Sequence, residues 1–142
     1  QVDQGTGDVR FLRFVAVHDS GRIINPMIIE GQLQGGIAQG IGQALGEGML
    51  YSEDGQPLTG SLMDYALPSV DDIPRITLDS LETPSPTNPL GIKGVGELPT
   101  VAAPVAVANA VLDALASASV RHLDVPLTPE KVWRGLQKGR AQ

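Results

Sequence analysis

The sequence of 142 residues is long enough for one domain with a sizeable core, and it holds 16 acidic residues, 10 basic residues and no cysteine. The lack of cysteine excludes a disulfide framework, a thiolate zinc site and an iron–sulfur cluster bound by this chain alone. A net charge of −6 argues against nucleic acid as the main partner, and no charge-free apolar stretch reaches the roughly 20 residues of a transmembrane helix.

The first third of the chain is predicted to contain a β-hairpin and then a long helix. The sequence begins with a strand pattern and without Met, so we expect a piece of a larger protein. Turn-forming residues at 3–8 precede the β-rich apolar stretch 9–17, which predicts a hairpin whose second strand spans 9–17. Asn25-Pro26 is typical of a helix start, and the residues after it predict a helix over 27–48.

The middle of the chain is predicted to contain turns and one strand. Residues 51–56 have the composition of a hairpin turn, and residues 57–74 are punctuated by proline and are predicted to be irregular. Polar and apolar side chains alternate over 75–82, which predicts a half-buried strand. A loop rich in proline and glycine is expected over 83–99.

Two further helices are predicted towards the end of the sequence. Residues 100–116 are apolar on nearly every side, so we expect a helix buried in the core. Thr128 as N-cap and Pro129 at the first helical position begin a short third helix. Because strands and helices occupy separate stretches, the sequence predicts the α+β class, with helices packed on a mixed sheet.

The helix over 27–48 is predicted to have an uncharged polar side opposite its apolar side. No charged residue occurs over 31–46, although an exposed helix normally carries Lys and Glu. At about 100° per residue, three sets of side chains separate around the helix axis. They are an aliphatic set (Leu33, Ile37, Ile41, Ala44 and Leu45), a glycine stripe (Gly31, Gly35, Gly42 and Gly46) and a glutamine stripe (Gln32, Gln39 and Gln43).

Two interpretations of the polar side are open. Each glycine costs up to about 1 kcal/mol of helix stability relative to alanine, so some contact must offset that cost. In the first interpretation the glycines allow close helix packing, and the glutamines bond neighbouring backbone. In the second the glycines let a polar ligand approach, and the amides, which both donate and accept, bind it. Neither a phosphate-binding loop motif nor a dinucleotide-binding fingerprint occurs in the sequence.

A second candidate feature is the segment 88–99, in which glycines at 91, 94 and 96 accompany a single carboxylate, Glu97, just before an apolar helix. One interpretation is structural, because a carboxylate stabilises the positive end of a helix. The other is that a lone carboxylate among residues with little side-chain bulk is placed to act as a general base. His18 and His122 are isolated from other metal ligands, so we interpret both as structural and predict no metal ligand in this chain.

Five motifs in order along the chain resemble the C-terminal part of the molybdenum-binding subunit of the xanthine dehydrogenase and aldehyde oxidase family. The similarity is greatest to the bacterial branch that includes aerobic carbon monoxide dehydrogenase large chains. The motifs are Asn25-Pro26 and the segments 30–42, 61–65, 82–86 and 91–97, and the resemblance covers essentially the whole chain. It implies that residues 1–142 are a single piece from the C-terminal part of a molybdopterin-binding domain.

The resemblance also implies roles for five residues. Glu97 matches the family's active-site glutamate, which accepts a proton when the substrate carbon is hydroxylated with oxygen derived from water. Gln32 and Gln39 match the glutamines that contact the pterin cofactor, in agreement with the uncharged helix side. Lys93 and Gly94 match the loop that lies against the cofactor beside the glutamate.

The cofactor implied by the resemblance is molybdopterin cytosine dinucleotide with molybdenum, shared with the rest of the molybdenum subunit. Iron–sulfur clusters and FAD are expected on separate partner subunits. The full enzyme is expected to be a cytoplasmic dimer of heterotrimers that acts on a small-molecule substrate. The competing hypothesis is a non-catalytic assembly or packing module, in which Glu97 is only a helix-end carboxylate.

Overall fold

Two strands and three α-helices make up the fold of residues 1–140, which the computed structural model describes. Strand β1 spans Phe14–Asp19 and strand β2 spans Ile76–Leu81. The helices are α1 (Pro26–Leu45), α2 (Leu98–Leu115) and α3 (Pro129–Arg140). The fold combines a small sheet with packed helices, and the predicted α+β class is confirmed, but strands and helices alternate along the chain instead of occupying separate stretches.

The sheet consists of β1 and β2 paired in parallel, with Phe14 opposite Ile76, so over residues 1–140 it is parallel and not mixed as predicted. The predicted hairpin is therefore wrong in its extent, because Val2 and Val9 form only one antiparallel bridge and the strand begins at Phe14. A local sequence shows which residues favour strands, but it does not show which distant strand they pair with. The predicted half-buried strand is confirmed, since β2 alternates between half-buried and exposed residues.

Helix α1 begins at the predicted Asn-Pro motif. The Oδ1 atom of Asn25 accepts a hydrogen bond from the N–H group of Ile28 at 3.2 Å, as a helix N-cap does. The helix ends at Leu45, shortly before the predicted end, and the N–H group of Gly46 bonds the carbonyl of Gly42 at 2.9 Å. The predicted aliphatic side is buried, through Leu33, Ile37, Ile41 and Ala44.

Helices α1 and α2 run in parallel and touch through glycines of α1. Gly36 lies against Pro99, and Gly40 lies against Ala103 and Pro104. A Cβ atom at Gly40 would lie only 2.6 Å from the Cβ atom of Ala103. The close-packing interpretation is therefore correct for Gly36 and Gly40, two glycines that lie outside the predicted glycine stripe.

Helix α2 is buried along one side only, so the prediction of a fully buried helix is wrong. Its buried side consists of Pro99, Ala103, Val107, Val111 and Leu115. Val101 and Val105, on other sides, are 73% and 59% exposed. Because the sequence is apolar all around, its periodicity does not indicate which side packs within this chain.

The segment Leu98–Ala118 is long and apolar enough to cross a membrane, by length and composition alone. This criterion therefore does not confirm the expectation that the chain lacks a transmembrane helix. The segment nevertheless packs against α1, and it carries Asn109 and Asp113 one turn apart, both exposed. An exposed carboxylate is costly in hydrocarbon, so these features favour a helix packed within a protein.

A second apolar cluster joins α3 to the end of α2. The hydroxyl of Thr128 accepts a hydrogen bond from the N–H group of Lys131 at 3.3 Å, which confirms the predicted N-cap. Pro129 is the first residue of α3, as predicted. The N–H group of Leu127 donates to the carbonyl of Ala44 at 2.7 Å and ties this region to the end of α1. The cluster contains Val111, Leu115, Val120, Leu127, Val132 and Leu136.

Replacing Gly40 with Val is expected to lower the free energy of unfolding by about 1–3 kcal/mol, because the new side chain would overlap Ala103 and Pro104. Gly35→Ala is the matched control on the same helix, since a Cβ atom there meets no atom within 4 Å. We expect Gly35→Ala to keep or raise the stability of the chain, because alanine favours helix. Urea unfolding followed by circular dichroism measures both, and equal stability of Gly40→Val and wild type contradicts the described α1–α2 contact.

Candidate cofactor site

Three glutamines of α1 expose their amide groups. Gln32, Gln39 and Gln43 are exposed, and their side-chain amides make no hydrogen bond to any residue within 1–140. By contrast, the amide of Gln34 donates to Oε1 of Glu30 at 2.9 Å. The three unpaired amides form a surface that we call the amide face, and it has both donors and acceptors available for a contact outside the described residues.

The predicted glycine stripe divides into an open half and a covered half. A Cβ atom added at Gly31 or Gly35 would meet no atom within 4 Å, so the helix backbone can be approached closely there. Gly42 and Gly46 lie instead against the segment 66–68. Only the first half of the stripe is therefore accessible to a ligand.

The amide face borders the start of α2. Gln32 precedes Gly36 by one turn and Gln39 follows it by nearly one turn, so both lie within about 60° of Gly36 around the helix axis. Gly36 contacts Pro99, which is two residues after Glu97. The structure therefore places Glu97 at the end of α2 that lies beside the amide face.

Glu97 is exposed and stands immediately before the first residue of α2. Its carboxylate makes no capping hydrogen bond to the helix. Its backbone carbonyl is the group that contacts the first turn of α2. This carbonyl accepts hydrogen bonds from the hydroxyl of Thr100 at 2.7 Å and from the N–H group of Thr100 at 3.1 Å. Hydrogen-bonded capping is therefore not the role of this carboxylate.

The loop that leads to Glu97 is organised by Asn88, to which the sequence analysis assigned no role. The side-chain amide of Asn88 donates to the carbonyl of Ile92 at 2.9 Å and accepts a hydrogen bond from the N–H group of Ile92 at 3.1 Å. Gly91 has a φ of 69°, and its carbonyl accepts N–H bonds from Arg22 and Ser85, each at 3.0 Å. An asparagine just before a proline was the sequence signal for this turn.

Asp19, at the end of β1, connects three segments, a role that the sequence analysis did not assign to it. Its Oδ1 atom accepts N–H bonds from Gly21 at 2.9 Å and from Thr83 at 3.2 Å. Its Oδ2 atom lies 2.8 Å from Nζ of Lys93. The Lys93 ammonium, and after it these N–H groups, hold the pKa of Asp19 well below its usual range.

The lowered pKa of Asp19 predicts how the Asp19→Asn variant responds to acid. A carboxylate whose pKa falls on folding stabilises the fold above its ordinary pKa of 3.8, and this contribution is lost as the pH falls below that value. We therefore expect Asp19→Asn to be less stable than wild type at pH 7 and to approach wild type as the pH drops below about 4. Urea unfolding at a series of pH values measures this, and a difference that stays constant down to the most acidic pH contradicts the described contacts.

Lys93 and Gly94, predicted as neighbours of a cofactor, have different environments. The ammonium of Lys93 pairs with the carboxylate of Asp19, and the backbone N–H group of Lys93 donates to the carbonyl of Ser20 at 2.9 Å. Gly94 is exposed, and a Cβ atom there would meet no atom within 4 Å. Gly94 thus offers open backbone while Lys93 is tied to the end of β1, and a cofactor contact by either residue stays a prediction.

Both histidines have protein partners, which agrees with a structural role. His18 is buried, and its Nδ1 atom lies 2.9 Å from the carbonyl oxygen of Asp79 on β2. His122 is exposed, and its Nε2 atom lies 3.0 Å from Oδ1 of Asp124. Over residues 1–140, no group of three or more His, Cys, Asp or Glu side chains is arranged to hold a metal ion.

One surface cavity of the described residues opens beside the last two turns of α1. It is lined by residues such as Arg10, Phe11 and Gly42, together with the segment 66–74, and it contains none of the five predicted site residues. Concave shape therefore does not locate the candidate site in this chain. A site of which only one wall is present is not expected to appear as an enclosed cavity.

Known proteins match the chain along nearly its whole length. The molybdopterin cofactor-binding domain family matches residues 1–74. The chain is 43% identical to the carbon monoxide dehydrogenase large chain of Hydrogenophaga pseudoflava, over 96% of this chain and 17% of that protein. It is 46% identical to the 6-hydroxypseudooxynicotine dehydrogenase complex subunit gamma of Paenarthrobacter nicotinovorans, over 97% of this chain and 18% of that protein.

The fold matches solved structures equally well. The crystal structure of quinoline 2-oxidoreductase from Pseudomonas putida 86 superposes with a TM-score of 0.93 at 50% identity, over 96% of this chain and 17% of that chain. The fold is thus that of a portion of a cofactor-binding domain from an oxidoreductase. The chain belongs to the molybdopterin cofactor-binding domain family. The predicted resemblance to the xanthine dehydrogenase and aldehyde oxidase group of molybdenum-dependent oxidoreductases is confirmed by its relatives. The chain spans less than a fifth of the length of these relatives.

Proposed function

We propose that this chain forms one wall of a molybdopterin cytosine dinucleotide site in the large subunit of a molybdenum hydroxylase, with Glu97 as the catalytic base. The observation that carries the proposal is the unpaired, exposed amide face beside the helix end where the carboxylate of Glu97 is exposed. Family membership supports a molybdenum cofactor. The cytosine dinucleotide form is proposed from the similarity to carbon monoxide dehydrogenase large chains.

The residues of the amide face suit a pterin ring system. Such a heterocycle carries mixed hydrogen-bond donors and acceptors, which neutral amides match better than charged side chains do. The open backbone at Gly31 and Gly35 leaves space for a flat group to approach α1. We propose that Gln32 and Gln39 bind the cofactor directly, and that Lys93 and Gly94 of the loop lie against it.

Glu97 meets two requirements of a proton acceptor in such a site. Its carboxylate is not used in capping, and the neighbouring Gly94 and Gly96 have no atom within 4 Å of an added Cβ atom, which leaves room for a substrate. The bound cofactor would supply the centre that takes two electrons from the substrate. We propose that Glu97 accepts the proton of the water-derived oxygen that is transferred to the substrate carbon.

We further propose that the rest of the molybdenum subunit completes the site, with an iron–sulfur subunit and an FAD subunit in a cytoplasmic dimer of heterotrimers. Exposed apolar side chains support an extensive contact surface on this chain, among them Val15, Val17, Met63, Val101 and Val105. The relatives are named for substrates as different as carbon monoxide and quinoline. We therefore propose that segments outside this chain select the small-molecule substrate.

The same apolar surface favours the alternative, a non-catalytic assembly or packing module. The two functions differ in what depends on individual polar residues. Only the catalytic function makes cofactor content depend on Gln39 and turnover depend on Glu97. In the packing module both residues are replaceable without either effect, and Glu97 contributes only a helix-end charge.

The isolated chain of 142 residues is expected to fold but to retain no molybdenum and to show no oxidase or dehydrogenase activity, because it supplies only one wall of the site. Elemental analysis and activity assays on the isolated chain measure this. The control is the full-length molybdenum subunit purified with its partner subunits, which is expected to contain molybdenum and a cytosine nucleotide. Stoichiometric molybdenum in the isolated chain, or none in the full-length protein, contradicts the proposal.

A further inference from the structure

We propose that Asp19 is a positioning residue for Glu97, because its carboxylate joins the glycine-rich loop to the end of β1. The inference rests on the proposed function, in which Glu97 acts as the base. Both oxygens of Asp19 are in use. Oδ1 accepts hydrogen bonds from the N–H groups of Gly21 and Thr83, and Oδ2 accepts a hydrogen bond from the ammonium group of Lys93 at 2.8 Å.

Backbone contacts join the same two segments. The N–H group of Lys93 donates to the carbonyl of Ser20 at 2.9 Å, and the N–H group of Arg22 donates to the carbonyl of Gly91 at 3.0 Å. Gly21 has a φ of 65°, and a Cβ atom there would overlap the carbonyl of Gly91 and lie 3.1 Å from Cγ of Lys93. The end of β1 and the first part of the loop are therefore in direct contact, and Asp19 connects them through a side chain.

Between Lys93 and the start of α2, the loop makes no hydrogen bond or ion pair to β1 within residues 1–140. Gly94 and Gly96 have no atom within 4 Å of an added Cβ atom, and the carboxylate of Glu97 bonds no residue within 1–140. Within residues 1–140, the contacts of Lys93 are thus the last hydrogen bonds or ion pair that join the loop to the end of β1 before Glu97. A base must sit within hydrogen-bond reach of the proton it accepts, so loosening this attachment displaces the carboxylate from its working position.

The Asp19–Lys93 ion pair differs from an ordinary surface pair. Its partners are 74 residues apart in sequence, and their side chains are only 29% and 35% exposed. The ion pair between Glu130 and Arg134 on α3 is one turn apart, and its side chains are 70% and 68% exposed. The second pair therefore provides a matched control that removes an ion pair without touching the loop.

The experiment compares four variants with wild type in the full-length enzyme, loaded with cofactor and purified with its partner subunits. Asp19→Asn keeps the Oδ1 acceptor of the turn and removes the charge, Lys93→Met removes the ammonium, and the third variant combines both changes. Glu130→Gln is the control. Four quantities are measured: kcat, KM, molybdenum content and amide hydrogen exchange of the loop 91–97.

We expect each single variant to lower kcat roughly tenfold or more and to speed exchange in the loop. For Asp19→Asn, which lies outside the proposed cofactor contacts, KM and molybdenum content are expected to stay close to wild type. The double variant is expected to be no worse than the more impaired single variant, because both changes remove the same contact. Glu130→Gln is expected to match wild type. The inference is overturned if the losses of kcat in the two single variants multiply in the double variant. It is also overturned if Asp19→Asn loses molybdenum, or if both single variants keep wild-type kcat and wild-type exchange.

Glu97→Gln, measured beside these variants, separates this inference from the proposed function. If Glu97→Gln turns over at the wild-type rate, the proposed function is wrong, and the positioning role fails with it even where exchange of the loop is faster. If Glu97→Gln is inactive while Asp19→Asn has wild-type kcat and wild-type exchange, only the positioning role is wrong.

Discussion

Turnover of the full-length enzyme is expected to fall by at least about 100-fold when Glu97 is replaced by Gln, with molybdenum content unchanged. Glutamine keeps the shape of the side chain and removes the proton acceptor. The carboxylate makes no capping bond to α2, so the substitution is not expected to disturb the helix start. Steady-state assays with carbon monoxide, an aldehyde and an N-heterocycle, on protein of measured molybdenum content, test this.

The control for this prediction is Glu130→Gln, which removes another carboxylate from the first turn of a helix. If Glu97 were only a helix-end carboxylate, the two variants would behave alike, each losing a few tenths of a kcal/mol of stability and no activity. A large loss of turnover confined to Glu97→Gln supports the base. Full activity in both variants would show that the catalytic assignment is wrong.

Replacing Gln39 with Leu is expected to lower the molybdenum and nucleotide content of the full-length enzyme. In the proposed site the amide of Gln39 pairs with a polar heterocycle, and leucine would leave buried partners unsatisfied. Each lost hydrogen bond of this kind costs about 1–3 kcal/mol, which corresponds to a loss of affinity of roughly 5- to 150-fold. Elemental analysis and nucleotide release from purified protein measure the effect.

Gln34→Leu is the matched control on the same helix, because the amide of Gln34 bonds Glu30 and lies apart from the amide face. We expect it to leave cofactor content at the wild-type level. Wild-type occupancy and turnover in Gln39→Leu would mean that the amide face is an ordinary packing surface. Equal losses in both variants would point to a general effect on α1 instead of a specific contact.

Helix α1 was predictable because its determinants are local. These determinants are the cap at Asn25, the aliphatic side chains and the uncharged run 31–46, all within the helix or next to it. Strand β1 was harder to predict, since it pairs in parallel with β2, a partner distant in sequence, and not with the nearby residues around Val2. The parallel pairing has no signature in the turn that precedes β1.

The apolar pattern of α2 misled for a different reason. A sequence that is apolar on every side predicts burial on every side, but Val101 and Val105 are exposed here. An apolar pattern on every side does not show whether a given side packs within this chain or against a surface outside it. The same limit applies to the glycines, because periodicity alone did not separate the packed Gly36 and Gly40 from the open Gly31.

The residue types of the candidate site were predictable, but the contacts that attach its loop to β1 were not. The exposure of Gln32 and Gln39 and the position of Glu97 before α2 agree with the sequence analysis, and their roles toward a cofactor stay predictions. The contact between Asp19 and Lys93 joins residues 74 positions apart, so no local pattern indicates it. Long-range contacts of this kind emerge only when the chain is folded.

The reductive half-reaction tests the central claim most directly. Wild-type and Glu97→Gln enzymes of equal molybdenum content are mixed anaerobically with substrate in a stopped-flow instrument, and the reduced enzymes are then mixed with an oxidant. If Glu97 is the base, Glu97→Gln is reduced at least about 100-fold more slowly than wild type but is reoxidised at the wild-type rate. Reduction of Glu97→Gln at the wild-type rate would contradict the account.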